Sequence, residues 1–393
     1  MDDPLSKKML WLLGTCCFTS MATMRVCDSL LPSLQTEFGI STGTAAQTIS
    51  SFALAYGMMQ LFFGPLGDRF GKVKVVSLAT LACTVGNVAA AFAFGIDQLL
   101  AARIVSGAAA AGIVPLTMAW IGDTVPYGQR QEVLAKLLGA TVFGMIAGQW
   151  LGALLAQTFS WRVSFGLLGA ISLLAGTLVL CDRNERSMPQ DDAKNGSRRR
   201  AMEVLSIPWA RTVLFVTFVE GALAFSALSF IPSFLHSAFN TPMAEAGGIV
   251  ALYGLGGLLY SKWARLLVHR LGESMLAKLG GACLALSYGA LALVDGWHWT
   301  LPACALAGFG FYALHNTLQT HATQMAPSAR GTAVSLFSCC LFFGQSLGVL
   351  CASWFVDRFS ARPVFLTAGC GLLVLAITLS ALITRQTAKL ART

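Results

Sequence analysis

The sequence predicts an all-α membrane protein with twelve transmembrane helices in two pseudo-symmetric six-helix bundles. Three observations support this fold class. The 393 residues are 55% hydrophobic and only 11% charged, whereas soluble domains carry about 25% charged residues. Runs of about 20 apolar residues, each long enough to cross a bilayer core of roughly 30 Å, recur along the chain. Several segments of the second half also resemble segments of the first half.

Each apolar run is predicted to be a helix, because an open strand would leave backbone groups without hydrogen bonds in lipid. The first run exceeds the roughly 7–15 apolar residues of a signal peptide and lacks a small-residue cleavage site, so it is interpreted as a retained helix. The predicted spans one to twelve are 9–31, 46–66, 74–94, 98–119, 133–156, 162–181, 212–236, 244–266, 276–294, 300–321, 331–355 and 363–384.

Lysine and arginine are distributed unevenly between the predicted loops. With a cytoplasmic N-terminus, 22 of the 27 lie on the inner side and only 3 on the outer side. This bias predicts a multi-pass protein of the bacterial inner membrane with both termini in the cytoplasm. The net charge of +9 therefore reflects topology and attraction to membrane lipid, and no nucleic-acid partner is expected.

A polar stretch divides the chain into two repeats. We predict an N-terminal six-helix bundle at 1–181, a partly disordered cytoplasmic linker at 182–210 and a C-terminal bundle at 211–393. The repeats match at an offset of about 200 residues, with Pro32 opposite Pro232 and the segment GQWLG opposite GQSLG. Such duplication is typical of carriers in which two bundles rock about a site at the membrane midplane.

The loop GPLGDRFGKVKV at 64–75 is the most specific motif in the chain. It resembles the cytoplasmic loop signature of the major facilitator superfamily, a family of membrane transporters. We expect Gly64 and Gly71 to permit close packing and a tight turn, and Asp68 to face the positive N-terminal end of a neighbouring helix. The resemblance implies that this neighbour is span eleven and that the contact locks an outward-open state. The predicted conformational-switch loop comprises Gly64, Asp68, Arg69, Gly71 and Lys72.

Span five carries the segment GMIAGQWLG, which is similar to the glycine-rich motif of drug–proton antiporters. Gly144, Gly148 and Gly152 are four residues apart, so they form a small-residue stripe that lets helices approach closely. Gln149 replaces the proline of the family motif, which departs from the exporter pattern. Helix packing alone also explains the glycines.

Four ionisable residues lie inside the predicted spans: Arg25, Asp28, Arg103 and Glu220. Each costs about 2.5–3.5 kcal/mol in the membrane and needs a partner, a cavity or neutralisation. Asp28 and Glu220 are the candidate proton sites, because loss of water penalises a charged carboxyl. Arg103, which with Gly107 resembles an Arg-x-x-x-Gly motif of the family, is the electrostatic partner predicted to reset them. An Arg25–Asp28 structural pair, a hydrogen-bonded Glu220 and a snorkelling Arg103 are the alternatives.

Span ten presents polar residues at i, i+3, i+4 and i+7, so they share one face of a helix and can line a cavity. Gln149 and Gln345 are predicted to occupy equivalent places in the two repeats. Phenylalanines of span seven, among them Phe225, provide either an apolar wall or ordinary packing. The predicted substrate-binding residues are Arg25, Gln149, Tyr312, His315, Asn316, Gln319 and Gln345.

These features predict a secondary transporter of the major facilitator type. It is expected to move a small organic solute by alternating access. The first hypothesis is proton-coupled export, and the alternative is proton-linked uptake of a small, possibly anionic, metabolite. The sequence has no nucleophile elbow, paired histidine ligands or nucleotide loop, so no enzyme activity, cofactor or metal is expected. The resemblance implies a monomer whose partners are the solute, protons and membrane lipid.

Overall fold

The computed structural model describes residues 4–182, 197–293 and 295–390, and every regular element in these ranges is a helix. Within spans one to six and within spans seven to twelve, consecutive long helices are joined by short connections, so successive spans run in opposite directions. Spans one to six comprise the helices Pro4–Arg25 with Leu31–Phe38, Thr42–Phe70, Lys72–Ala91, Ile96–Ala110 with Ile113–Thr124, Tyr127–Thr158, and Trp161–Cys181. Spans seven to twelve comprise Pro208–Phe239, Met243–Leu293 for spans eight and nine together, Thr300–Gln324, Arg330–Arg358, and Arg362–Leu390.

Ten helical segments of the described chain are long and apolar enough to cross a membrane. One of them, Met243–Leu293, has 51 residues and breaks at Gly272, whose φ of 70° and ψ of 166° are not helical. It therefore supplies both span eight and span nine. Thr300–Gln324 is outside this set, but its 25 residues are also long enough at about 1.5 Å per residue. Each of the twelve predicted spans thus has a helical counterpart.

The predicted polar linker is partly helical. Ser197–Ser206 forms a helix that contacts spans seven and eleven, and its Val204 is fully buried. The segment 183–196 of the linker, and position 294 at the end of predicted span nine, lie outside the described residues. The described end of the linker is therefore an ordered part of the second half.

Span one bends near its middle. Its first helix ends at Arg25, a 3-10 turn covers Val26–Ser29, and a second helix begins at Leu31. Pro32 lies in the first turn of this second helix, where its missing N–H cannot bond to the carbonyl four residues earlier. The bend therefore places the predicted proton site Asp28 on a turn instead of inside a regular helix.

The backbone φ angles show the repeat that the sequence predicts. In the described chain, positive φ angles occur at Gly39 and Gly71 in the first half and at Asn240 and Gly272 in the second half. The two sets are related by the same offset of 201 positions. Both pairs end equivalent helices, after spans one and seven and after spans two and eight, because a left-handed residue lets the chain reverse without a clash for glycine or asparagine.

The glycines of spans five and eleven determine the register of the repeat. A Cβ on Gly148 would lie 2.4 Å from the Ala22 carbonyl oxygen, and one on Gly348 would lie 2.1 Å from the Ala222 carbonyl oxygen. Gly148 therefore corresponds to Gly348, at an offset of 200. The predicted equivalence of Gln149 and Gln345 is consequently wrong by one helical turn, because the short segments used to align them share a glycine-glutamine pair in a different register.

The two halves meet along spans two and eleven and along spans five and eight. We call the end of the bundle where span one begins and span twelve ends the terminal face, and the other end the opposite face. From the opposite face, spans two and eleven remain in contact as far as Tyr56 and Phe342, whose ring centroids are 4.4 Å apart. Midway along this contact, the Ser346 hydroxyl donates to the Ser50 carbonyl at 3.0 Å.

Replacing Gly348 with alanine should destabilise the protein. Its new Cβ would collide with the Ala222 carbonyl, and overpacking of this kind costs about 1–3 kcal/mol. The thermal unfolding midpoint in detergent should fall. Gly139→Ala is the matched control, since a Cβ there meets nothing within 4 Å. An unchanged midpoint for Gly348→Ala would contradict the close packing of spans seven and eleven.

Candidate functional site

An ion pair lies at the bend of span one. Asp28 is 0% exposed and Arg25 is 4% exposed, and the Arg25 Nη1 donates to Asp28 Oδ2 at 3.3 Å. The Gln149 amide nitrogen of span five donates to the same oxygen at 3.3 Å. Among the described residues, the other oxygen of Asp28 has no hydrogen-bond partner. One acceptor position of this buried carboxylate therefore remains open to a proton or to a donor group of a solute.

A second buried carboxyl lies in the other half. Glu220 of span seven is fully buried, and its Oε2 lies 3.0 Å from His315 Nδ1 of span ten. A hydrogen bond between these two atoms needs one proton, which either residue can carry. Glu220 Oε1 also lacks a hydrogen-bond partner within the described ranges. The pair can thus hold a proton at the centre of the second half.

Aromatic rings connect these two pairs. The Arg25 guanidinium lies 4.6 Å from the centroid of the Phe225 ring of span seven, at a distance typical of cation–π contacts. Phe225 contacts Phe311 edge to face at 5.3 Å, and Phe311 stacks on His315 at 5.1 Å with 9° between the rings. A continuous series of side-chain contacts therefore joins the Asp28 carboxyl in one half to the Glu220 carboxyl in the other. We call the residues of this series the central cluster.

Arg103 is fully buried and binds backbone carbonyls. Its Nη1 donates to the Thr23 carbonyl at 2.7 Å, its Nη2 to that of Met24 at 3.4 Å and its Nε to that of Thr48 at 3.1 Å. The first two carbonyls belong to the helical turn just before the bend of span one. Arg103 therefore positions the turn that carries Asp28 and joins it to span two. Its predicted role in resetting the acids stays a prediction.

The predicted polar face of span ten is divided between two neighbours. His315 points to Glu220 on span seven, whereas Tyr312 lies against the backbone of Gly257 on span eight. Asn316 is only partly buried and lies one position after His315 on the helix. Gln319 is exposed towards the terminal end of the span. Only part of the predicted stripe therefore belongs to the central cluster.

Two further polar residues are buried in the second half, Gln345 on span eleven and Tyr253 on span eight. Gln345 is 2% exposed, and within the described chain its side-chain oxygen has no hydrogen-bond partner. The ring of Tyr253 of span eight lies 5.9 Å from that of Phe311, between centroids. Sequence reasoning missed Tyr253 and Phe311, because an aromatic residue in an apolar span has no pattern that distinguishes a cluster member from ordinary packing.

The loop motif after span two adopts a different arrangement from the predicted one. Asp68 pairs with Lys72 at 3.5 Å, and Lys72 also bonds to Asp123 of span four. Among the described residues, Asp68 has no hydrogen bond or ion pair with the N-terminal end of span eleven, where the resemblance places its partner. Gly71 makes the expected turn with a φ of 91°. Gly64 was expected to permit close packing, but a Cβ there would meet nothing within 4 Å, so this expectation is wrong.

Two related contacts join the halves at the opposite face. Asp357, at the end of span eleven, accepts hydrogen bonds from the Gly43 N–H at 2.8 Å and from the Ser41 hydroxyl at 2.7 Å. Gln157, at the end of span five, accepts one from the Ala244 N–H at 2.9 Å. In each contact a side chain binds the second N–H of the first helix turn of a span in the other half. We call these contacts the two caps.

The chain belongs to the Major Facilitator Superfamily, whose family model matches residues 13–349. It is similar to the quinolone resistance protein NorA of Staphylococcus aureus, with 22% identity over 89% of this chain and 90% of that protein. It is also similar to the multi-drug resistance efflux pump PmrA homolog of Lactococcus lactis, with 25% identity over 91% of this chain and 90% of the relative. These relatives confirm the predicted resemblance to drug–proton antiporters.

Solved structures show the same fold. A bacterial homolog of the human lysosomal transporter Spinster, in an inward-facing and occupied conformation, matches with a TM-score of 0.77 and 18% identity over 98% of both chains. The nucleoside transporter NupG matches with a TM-score of 0.76 and 15% identity over 97% of this chain and 99% of that one. The protein is therefore a membrane-spanning transporter of the major facilitator fold and not an enzyme.

Replacing Asp357 with alanine should loosen the opposite face. The change removes the acceptor for Gly43 and Ser41, and a hydrogen bond to a charged group contributes about 1.5–3 kcal/mol. A cysteine at Ser353, which is 8% exposed beside this contact, should then react with a soluble maleimide about tenfold faster in detergent.

Asp295→Ala is the control for this experiment, because Asp295 is an acid of the same face that pairs with Arg362 inside the second half. The same protein without the Ser353→Cys change gives the background reaction of the native cysteines. Equal rates with Asp357→Ala and Asp295→Ala would show that the Asp357 cap does not hold the halves together.

Proposed function

We propose that the protein is a proton-coupled exporter of a small organic solute, a monomer of the bacterial inner membrane with both termini in the cytoplasm. The observation that supports this proposal is the pair of buried carboxyls, Asp28 and Glu220, one in each half and linked through Arg25 and aromatic rings. The segments 1–181 and 211–393 act as the two rocking bundles, with 182–210 as their cytoplasmic link.

The charges of the cluster support exchange between a proton and a solute. Arg25 is bonded to Asp28, and the buried guanidinium of Arg103 lies beside the turn that carries Asp28. With neutral His315, a charged Glu220 has no bonded cation among the described residues. A bound proton or a cationic group of a solute supplies a positive charge at Glu220. Because either species neutralises the same carboxyl, each lowers the affinity for the other, which is the reciprocal coupling that antiport requires.

Proton binding at Asp28 acts on the interface between the halves. A protonated Asp28 attracts Arg25 less strongly, and Arg25 is the side chain that reaches Phe225 of span seven. The proton therefore changes a contact between the two halves, so that binding and rocking are linked. Contacts at the opposite face, including the two caps, hold the present state closed on that side.

Export is supported by the PmrA relatives, whose names state multi-drug efflux, and by NorA, whose name states quinolone resistance. Uptake of a small anionic metabolite is the second candidate. Arg25 at the centre and Gln149 in place of the motif proline favour it, and the structural neighbours include a nucleoside transporter and a peptide transporter. Arg103 does not support it, because its nitrogens are bound to three carbonyls. Accumulation of solute in energised cells would favour uptake.

Replacing Glu220 with glutamine or Asp28 with asparagine should abolish transport driven by a pH gradient. Each change keeps the shape of the side chain and removes its proton-binding carboxyl. Solute movement in proteoliposomes with an imposed pH gradient measures the effect. Glu132→Gln is the control, since Glu132 is an exposed acid paired with Lys136. Transport that is unaltered when the gradient is collapsed would disprove proton coupling.

The class of solute can be identified by thermal stabilisation of the purified protein with cations, anions and zwitterions. A ligand at about 100 times its dissociation constant stabilises the folded state by about 2.7 kcal/mol. We expect a cationic ligand whose shift is lost in Glu220→Gln or Asp28→Asn. An anionic ligand whose thermal shift persists in both of these variants but disappears in Arg25→Ala would favour the uptake candidate over export.

A further inference from the structure

Two grooves lie on the outer surface of the second half, one on each side of span twelve. The larger groove, of about 970 Å³, runs between spans seven and twelve, and the smaller, of about 390 Å³, runs between spans nine and twelve. We call them the seven–twelve groove and the nine–twelve groove. Both are on the outside of the bundle, away from the central cluster.

The seven–twelve groove has an apolar floor and a basic mouth. Phe215, Val219, Leu223 and Val374 line its floor, and Arg211 lines the mouth at the terminal face. From Arg211 to Leu223 the groove follows span seven for about 18 Å, at about 1.5 Å per residue. One leaflet of a bilayer core is about 15 Å thick. The groove therefore matches the length of an acyl chain that starts at the terminal face.

The nine–twelve groove has the same character. Lys278 and Arg385 line it together with the hydroxyl-bearing residues Ser380 and Thr384. No acidic side chain is among the described residues that line either groove. Both grooves thus offer positive charge near the terminal face without a negative side chain that would repel an anion.

The helix that precedes span seven adds positive charge to the terminal face. In Ser197–Ser206, Arg199 and Arg200 are exposed, as are the apolar side chains Met202 and Leu205. A helix with exposed basic and apolar side chains is typical of a segment lying at a membrane surface. The helix directly precedes span seven and contacts spans seven and eleven, so these arginines lie on the terminal face, at the level of the headgroups.

We propose that the grooves beside span twelve bind anionic phospholipid from the leaflet at the terminal face. An acyl chain lies on the apolar floor, and the phosphate and headgroup contact Arg211 in the first groove and Lys278 and Arg385 in the second. Long basic side chains extend along apolar surface while their charge stays at the interface, so all three cations can meet a headgroup. A basic pocket between spans is the arrangement that selects anionic over zwitterionic lipids.

The test measures lipid binding to the purified full-length protein in detergent. Native mass spectrometry gives the apparent affinity for phosphatidylglycerol and for zwitterionic phosphatidylcholine with matched acyl chains. Phosphatidylglycerol should bind more tightly, and Arg211→Gln should weaken its binding about fivefold, as expected for the loss of one cation at a membrane surface. The double change Lys278→Gln with Arg385→Gln should weaken it further at the second groove.

Two control variants separate the groove from general charge effects. Arg265→Gln removes an exposed cation of span eight that lines neither groove, and it should leave the preference unchanged. Thr378→Trp fills the seven–twelve groove but keeps every charge, and it should weaken phosphatidylglycerol binding; Val85→Trp, on an exposed position of span three, should not.

Several results would overturn the proposal. Equal affinity for the two lipids would show that the cations do not select the headgroup. Equal effects of Arg211→Gln and Arg265→Gln would show that net charge alone matters. Displacement of phosphatidylglycerol by millimolar inorganic phosphate, together with an ineffective Thr378→Trp, would identify a site for a free anion instead of a lipid.

Discussion

The bend in span one depends on Arg103, and the centre of the molecule depends on that bend. A break in a helix inside a membrane leaves carbonyl groups without N–H partners, which is costly where no water is present. Arg103 supplies three donors to carbonyls of spans one and two, so the break becomes a stable part of the fold. Asp28 is held on the resulting turn, and the ion pair with Arg25 follows from its position. A guanidinium that is often considered a mobile charge acts here as part of the backbone framework.

Close backbone contact is the second constraint on the structure. In both halves, glycines of one span lie against carbonyl oxygens of another, as Gly144 does at Phe18 and Gly344 at Phe218. Such contacts leave no room for side chains, so we expect the pairs of spans within each half to move as rigid units. The polar cluster lies between these units. In the proposed mechanism, a change in one charge there acts on whole bundles instead of being absorbed by local rearrangement.

The sequence was sufficient for the fold because that depends on composition and repetition, which one chain displays. Runs of apolar residues gave all spans, and the duplicated turns at Gly71 and Gly272 confirm that the repeat extends to backbone geometry. The register between the repeats was not predictable to within one helical turn: Gln149 and Gln345 were matched through a short segment, and only the glycine contacts show the shift. Partners were also hidden. Nothing in the spacing connects Glu220 with His315, because their contact depends on how spans seven and ten cross.

The two caps at the opposite face show what duplication can change. They occupy corresponding positions of the repeat, yet one uses the carboxylate of Asp357 and the other the amide of Gln157. Hydrogen bonds to a charged acceptor are stronger than those to a neutral one, and only the charged one responds to the ionic content of its surroundings. The salt concentration at the opposite face can therefore weaken the Asp357 cap and leave the Gln157 cap unaffected.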